Sequence, residues 1–341
     1  MKLKLVIAIT LLFSMPANAV FTNTNPARIY MVLWRGCEEA CQGFKQYLQD
    51  RRLPVELVIR DAARNANSLE GFLAEARELK PDLVVTWGTS VTQAIIGPLE
   101  PGNERTLLGN IPAMFMIVAD PISAGIVTSY ESSGRPMVTG VRNRVPEEVQ
   151  IRAIQDYMDA KRIGVIYSPS ELNSVLNTKQ LSDLSEPMNF QLVTRTYTVD
   201  ESGNPLEGQL PKLMQQMKDE DVDIIYVGSS SYNLQNSDEF TNAAIGSGLP
   251  VASAYEVMVT QSNGLLAVAN RYYNVGRLAA RQAEQVLFYD RQPGTLPISS
   301  LSRYSVFINT RVARKLDNFP PIQLLRFAEL IDVNTMQAKD H

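Results

Sequence analysis

The residues able to do chemistry in this chain are hydroxyls, amides, glycines and carboxylates that follow short apolar runs. Trp87-Gly88-Thr89-Ser90 follows the run Leu83–Thr86, and Ala119-Asp120-Pro121-Ile122-Ser123 follows Ala113–Val118. Later, Ser168-Pro169-Ser170-Glu171-Leu172-Asn173-Ser174 follows Ile163–Tyr167, and Gly228-Ser229-Ser230-Ser231-Tyr232 follows Ile224–Val227. Hydroxyls and amides can hydrogen-bond a small polar solute, and glycine lets a backbone approach it closely. The same residue types cap helices in any α/β protein, so one such loop read alone is equally a cap. Trp34, Trp87, Tyr232 and Tyr255 stand near the same exits and offer flat apolar faces, for a planar solute or for packing. Asp120 before Pro121 also reads as a turn residue, and Glu256 as a carboxylate in the first turn of a helix.

Enzyme signatures are missing. The single histidine is His341, the last residue, which excludes a histidine-based triad and a histidine-ligated metal. There is no Walker A loop and no Gly-x-Ser-x-Gly elbow, and neither cysteine has a histidine to activate it. A hydrolase using two paired carboxylates is the enzymatic reading left, and it requires two acids facing each other in one cleft. The expectation is a protein with no catalytic residues, no metal and no cofactor. Cys37 and Cys41 are four apart, a rise of about 6 Å on a helix, within the Cα separations that a disulfide bridges. An oxidising compartment favours that bond over two free thiols.

The first residues set that compartment. Lys2 and Lys4 precede the apolar run Leu5–Met15, and Ala17-Asn18-Ala19 gives a small-x-small cleavage pattern. Residues 1–19 therefore read as a secretory signal peptide cut after Ala19, with an apolar run shorter than the about 20 residues that span a bilayer. The expected location is the periplasm. A chain of 341 residues suggests two domains, and 45% hydrophobic residues permit substantial cores. A net charge of −4 with both signs mixed lacks the clustered basic face of a nucleic-acid binder.

Positioning these loops requires alternating strands and helices, and the pattern supplies them twice. Runs at Ala27–Leu33, Val55–Ile59, Leu83–Thr86, Ala113–Val118 and Val138–Val141 are nearly all apolar, with helical stretches between most of them, as when helices cover both faces of a parallel sheet. A second series starts at Ile163–Tyr167 and ends with Leu265–Asn270 and a long helix over Tyr272–Phe288. Two such series predict two doubly wound α/β lobes. Ligands of open parallel sheets sit beyond the carboxyl ends of the strands, which is where the polar loops fall. Arg142–Val145 is the first candidate hinge, and a tail returning to an earlier lobe adds further crossings.

Several segments resemble the ABC-transporter substrate-binding proteins related to tryptophan and tyrosine importers. They include Ile111–Phe115 through Ala119–Gly125, Val138–Val141, Tyr167–Ser174, Tyr272–Arg277, Ile308–Thr310 with Ala313, Pro320-Pro321 and Leu324–Ala328. The resemblance runs from about Ala27 to Ile331. It implies a type I periplasmic-binding-protein fold, with two Rossmann-like lobes joined by a three-crossing hinge. Lobe one would hold 20–141 plus 272–291, lobe two 142–271 plus 292–334, with a tail at 335–341. The ligand would lie between Gly88, Thr89 and Asp120 on one side and Ser168, Asn173, Ser174, Ser229 and Glu256 on the other. Trp34, Ser230 and Tyr255 join that set from the same exits. By analogy with amino-acid binders, Thr89 would meet a carboxylate and Glu256 an ammonium. The implied role is a monomeric component of an importer that hands a small ligand, an aromatic amino acid or related compound, to an ABC permease. The alternative is a sensor that signals to a membrane receptor such as a histidine kinase or nucleotide cyclase. Two departures leave an anionic or aromatic ligand other than a standard amino acid open: Tyr255 replaces a common family acid, and Asn270-Arg271 stands where Val-Asp is frequent.

Overall fold

A computed structural model describes residues 21–100, 102 and 104–332. The expected leader, 1–19, and tail, 335–341, lie outside the described residues. Lobe one begins with β1 (Ala27–Leu33), α1 (Glu39–Asp50), β2 (Val55–Asp61), α2 (Ser68–Leu79) and β3 (Leu83–Trp87), followed by α3 (Thr89–Ile95), β4 (Ala113–Val118) and β5 (Val138–Arg142). The five strands form one parallel sheet in the order β2-β1-β3-β4-β5.

The apolar run of β1, interrupted only by the partly exposed Arg28, follows from burial on both faces. Its alternate residues point to opposite sides. Ile29, Met31 and Leu33 enter the core beneath α1, while Tyr30 and Val32 enter the other core, with Leu69, Ala76, Val91 and Ile95 of α2 and α3.

Lobe two starts with α4 (Glu147–Tyr157), β6 (Arg162–Tyr167), α5 (Leu172–Ser185), β7 (Gln191–Thr196), α6 (Leu210–Asp219) and β8 (Ile224–Val227). Then come α7 (Ser231–Gln235), α8 (Ser237–Gly246), β9 (Val251–Ser253), α9 (Val257–Thr260) and β10 (Leu266–Ala269). The long α10 (Tyr272–Phe288) returns to lobe one, where it packs on α1 and contributes Val275, Ala279, Ala280 and Ala283 to the core under β1. The chain ends in lobe two with β11 (Ser305–Asn309), α11 (Thr310–Lys315), α12 (Ile322–Leu325) and β12 (Glu329–Ile331). The second sheet has the order β12-β11-β10-β9-β8-β6-β7, parallel except between β10 and β11.

The chain thus passes between lobes three times: after β5, after β10, and before β11. The boundaries shift slightly from those read in the sequence. Arg142 completes β5, and the stretch from 292 to 299 remains on lobe one instead of joining lobe two. Gly294 donates to the carbonyl of Pro136 at 2.9 Å, Ile298 is buried in the lobe-one core, and Ser299 bridges Val141 in parallel. Helix α4 and strand β12 were not expected. The helical reading from Pro205 shortens to Leu210, because the intervening turn puts Gly208 at φ +72°.

Candidate functional site

The two sheets aim their strand exits at a common, narrow cavity of about 50 Å³. Trp34 and Arg35 enter it from the end of β1, Trp87, Gly88, Thr89 and Ser90 from the end of β3, and Ile117 and Ala119 from β4. Lobe two faces them with Asn173, Ser229, Ser231 and Tyr255. Asn143 and Tyr272 reach in from two of the crossings.

Local backbone explains this convergence. Gly88, at φ +87°, turns β3 into α3 and presents its carbonyl to the Thr92 hydroxyl at 2.7 Å. Ile117 is a β-branched residue at φ +57°, beside a register shift between Met116 and Val118. Such a residue adopts that conformation only where its surroundings enforce it, and the bulge turns it toward the cavity. At the crossings, Asn143 donates through Nδ2 to the Tyr272 hydroxyl at 2.8 Å, and its carbonyl accepts from Asn270 at 3.0 Å. The Tyr272 ring meets Tyr255 edge-on at 6.2 Å. Burial pushes both phenols above their ordinary range, so each keeps its proton.

Arg35 provides the charge. Its guanidinium lies 4.8 Å from the centre of the Trp87 ring, and its Nε donates to Glu38 at 2.7 Å. The Glu38 carboxylate and the nearby phenols hold its pKa above the usual value, although burial opposes them. Just outside the cavity, Cys37 and Cys41 form the expected disulfide, with Cα atoms 5.1 Å apart. That bond closes the loop from Arg35 onto the first turn of α1.

The residues expected from sequence divide into two groups. Trp34, Gly88, Thr89, Asn173, Ser229 and Tyr255 are brought together around the cavity. The others lie outside its wall, each with its own partner. Asp120 accepts from the Ser123 amide at 3.0 Å and from Gln180 Nε2, across the lobes, at 2.7 Å. Ser168 shares a hydrogen bond with Ser170 at 2.8 Å. Ser174 donates to the Ser229 carbonyl at 2.6 Å, and Ser230 caps α7 while donating to Glu171 at 2.8 Å. Sequence reasoning missed Arg35, Ile117, Asn143 and Tyr272 as cavity residues, while Ser90 and Ser231 stood in exit loops it had read without being picked out as contacts. Reading the exit of β1 as the other exits were read would have found Arg35; the others depend on a bulge or on where the crossings meet.

Glu256 faces a second, outer cleft of about 340 Å³, lined also by Glu38, Glu39 and Arg64. Burial first, and Glu39 facing it from lobe one second, push the Glu256 carboxyl up to about 7, while Arg271 works against them. Because its folded pKa exceeds its unfolded one, this group favours folding most below the unfolded pKa. That contribution disappears as pH rises through about 7. The full linkage would be about 3 kcal/mol, reduced to about 1–2 kcal/mol because solvent still reaches the group. Glu256→Gln is therefore expected to gain about 1 kcal/mol over wild type at about pH 8 and little at about pH 5. Urea titrations at both pH values check this, and an equal gain at both would contradict it.

A protein-family model described as ABC transporter substrate binding protein matches residues 29–329. The Tyrosine-binding protein of Clostridioides difficile (strain R20291) is 23% identical over 286 residues, covering 82% of this chain and 77% of that protein. A conserved domain protein from Vibrio cholerae superposes with a TM-score of 0.77 at 22% identity, covering 90% of this chain and 99% of that one. An ABC domain from Streptococcus pneumoniae, solved in complex with L-Trp, gives 0.76 at 20% identity, covering 90% and 100%. At these identities the structures carry the fold, the type I periplasmic-binding-protein architecture of two parallel-sheet lobes. With the family model matched from the first strand to the last, the chain belongs to the ABC transporter substrate binding proteins.

Proposed function

We propose that this protein is the periplasmic solute-binding component of an ABC importer, and that its two lobes close on a small ligand with a flat face. The observation that carries the reading is the cavity itself, built from strand exits of both lobes and walled by Trp34, Trp87, Tyr255 and Tyr272. Two contacts bridge the lobes beside it. Gln180 reaches Asp120, and Leu176 of α5 packs onto the lobe-one core. Both would break on opening, so a bound solute that favours the closed form shifts the population toward it. A permease can then distinguish closed from open by shape. The tyrosine-binding relative and the tryptophan-bound structural neighbour support a flat ligand, an aromatic amino acid or a related compound. Thr89, Asn173 and Ser229 would supply hydrogen bonds.

A thermal-shift screen over amino acids, organic anions, nucleosides and sugars tests this. A true ligand at a hundred times its dissociation constant stabilises the folded state by about 2.7 kcal/mol, and small-angle scattering should show the particle contracting. No shift with any of the four classes would reject the reading.

A further inference from the structure

We infer that the inner cavity selects a flat carboxylate that carries no ammonium group, with Arg35 as its charge partner. This rests on the solute-binding reading above and narrows its ligand. Among the described residues lining the cavity, Arg35 is the one charged side chain. Its side chain is only 6% exposed. Nε is taken by Glu38, and the terminal nitrogens hold no hydrogen bond among the described residues, which leaves them for an anion. A carboxylate suits them, because charge-assisted bonds to guanidinium are strong and directional.

Among the described residues, the rest of the wall offers flat faces and neutral groups that can donate or accept, but no carboxylate. The Thr89, Ser90, Ser229 and Ser231 hydroxyls line it, and Trp87 Nε1 is buried without a partner. Anionic acceptors are missing from the described lining. Asn143 Oδ1 is buried and unpartnered, but it is neutral. Nearby acids are committed or displaced: Asp120 is bonded to Ser123 and Gln180, and Glu256 and Glu39 open on the outer cleft. An α-ammonium sits on the carbon that bears the carboxylate. In this cavity it would lie beside the Arg35 cation with no carboxylate of its own, and an unpaired buried charge is costly. The Trp and Tyr faces fit an aromatic or otherwise planar body.

Calorimetric titration of the full protein with matched pairs tests the inference: phenylpropanoate against phenylalanine, and indolepropanoate against tryptophan. In each pair that binds, the carboxylate is expected to bind about tenfold or more tightly than its amino acid, and Arg35→Gln should weaken the carboxylate by about 10- to 100-fold. Arg35→Lys, which keeps the charge but loses the planar fork, should fall between them. Melting of the ligand-free variants reports their folding, and the matched pairs on wild type decide the question even where a variant fails to fold. An amino acid binding as tightly as its deaminated partner, or a neutral solute binding in preference to both, overturns the inference and leaves the importer reading standing. Binding of no solute from any class removes both.

Discussion

Replacing Arg144 with Met is expected to cost about 3–5 kcal/mol of folding stability, the usual cost of removing one partner from a buried ion pair. Arg144 Nε lies 2.8 Å from Glu147 Oε1, with the two side chains only 7% and 10% exposed. Glu147 holds the Arg144 pKa above its usual value against burial. Without the arginine, Glu147 keeps one hydrogen bond, from Asn177 Nδ2 at 3.0 Å, and must be buried charged or take up a proton. Urea denaturation measures the loss. Arg144→Met with Glu147→Leu should recover most of it, because an apolar pair of similar volume leaves no orphan charge. A double variant as unstable as the single one would show that packing at the hinge, and not charge, is what matters. The pair also bears on the cavity: Asn177 Oδ1 accepts from the Ser229 amide at 3.1 Å, so disturbing Glu147 should slacken a cavity residue it does not touch.

The second large effect is steric. Gly276 of α10 lies against α1 so closely that an added Cβ would fall on the Ala40 carbonyl, and a Cβ at Gly43 of α1 would fall on the Tyr273 carbonyl. Backbone cannot swing aside as a side chain does, so the helices must part. Gly276→Ala is expected to lose about 3 kcal/mol by overpacking, outweighing the about 1 kcal/mol gained from helix propensity. Gly71 of α2 is the control, with open space where its Cβ would go; there Ala should gain about 0.5–1 kcal/mol. Denaturant midpoints of the two variants should move in opposite directions, and a neutral Gly276→Ala would show that the two helices part freely.

These positions mark what the sequence could show. Strands such as β1 and β4 were legible because burial on both faces leaves an apolar run with few alternatives. Helix α10 was legible too, its boundaries at Tyr272 and Phe288 matching the periodic pattern. Helix α4 was missed because Glu147 and Gln150 are buried polar residues, satisfied by Arg144, Asn177 and Tyr226 from elsewhere. Strand β12 has just three residues, and its pairing with β11 is decided in three dimensions. At the site, the exits were legible but not their allegiance. Nothing local to Asp120 shows that Gln180, sixty positions on, takes its carboxylate. Nor does the sequence around Asn143 and Tyr272 show that two crossings bring them into contact.

Those crossings have a mechanical consequence. Because Asn143 touches both Asn270 and Tyr272, two of the three connecting segments are fastened to each other where they leave the lobes. Such a joint folds like the spine of a book: it swings on one axis and resists shear. On the proposed importer reading, the outer face would then have two recognisable shapes, and a permease reading it would receive a nearly binary message about occupancy.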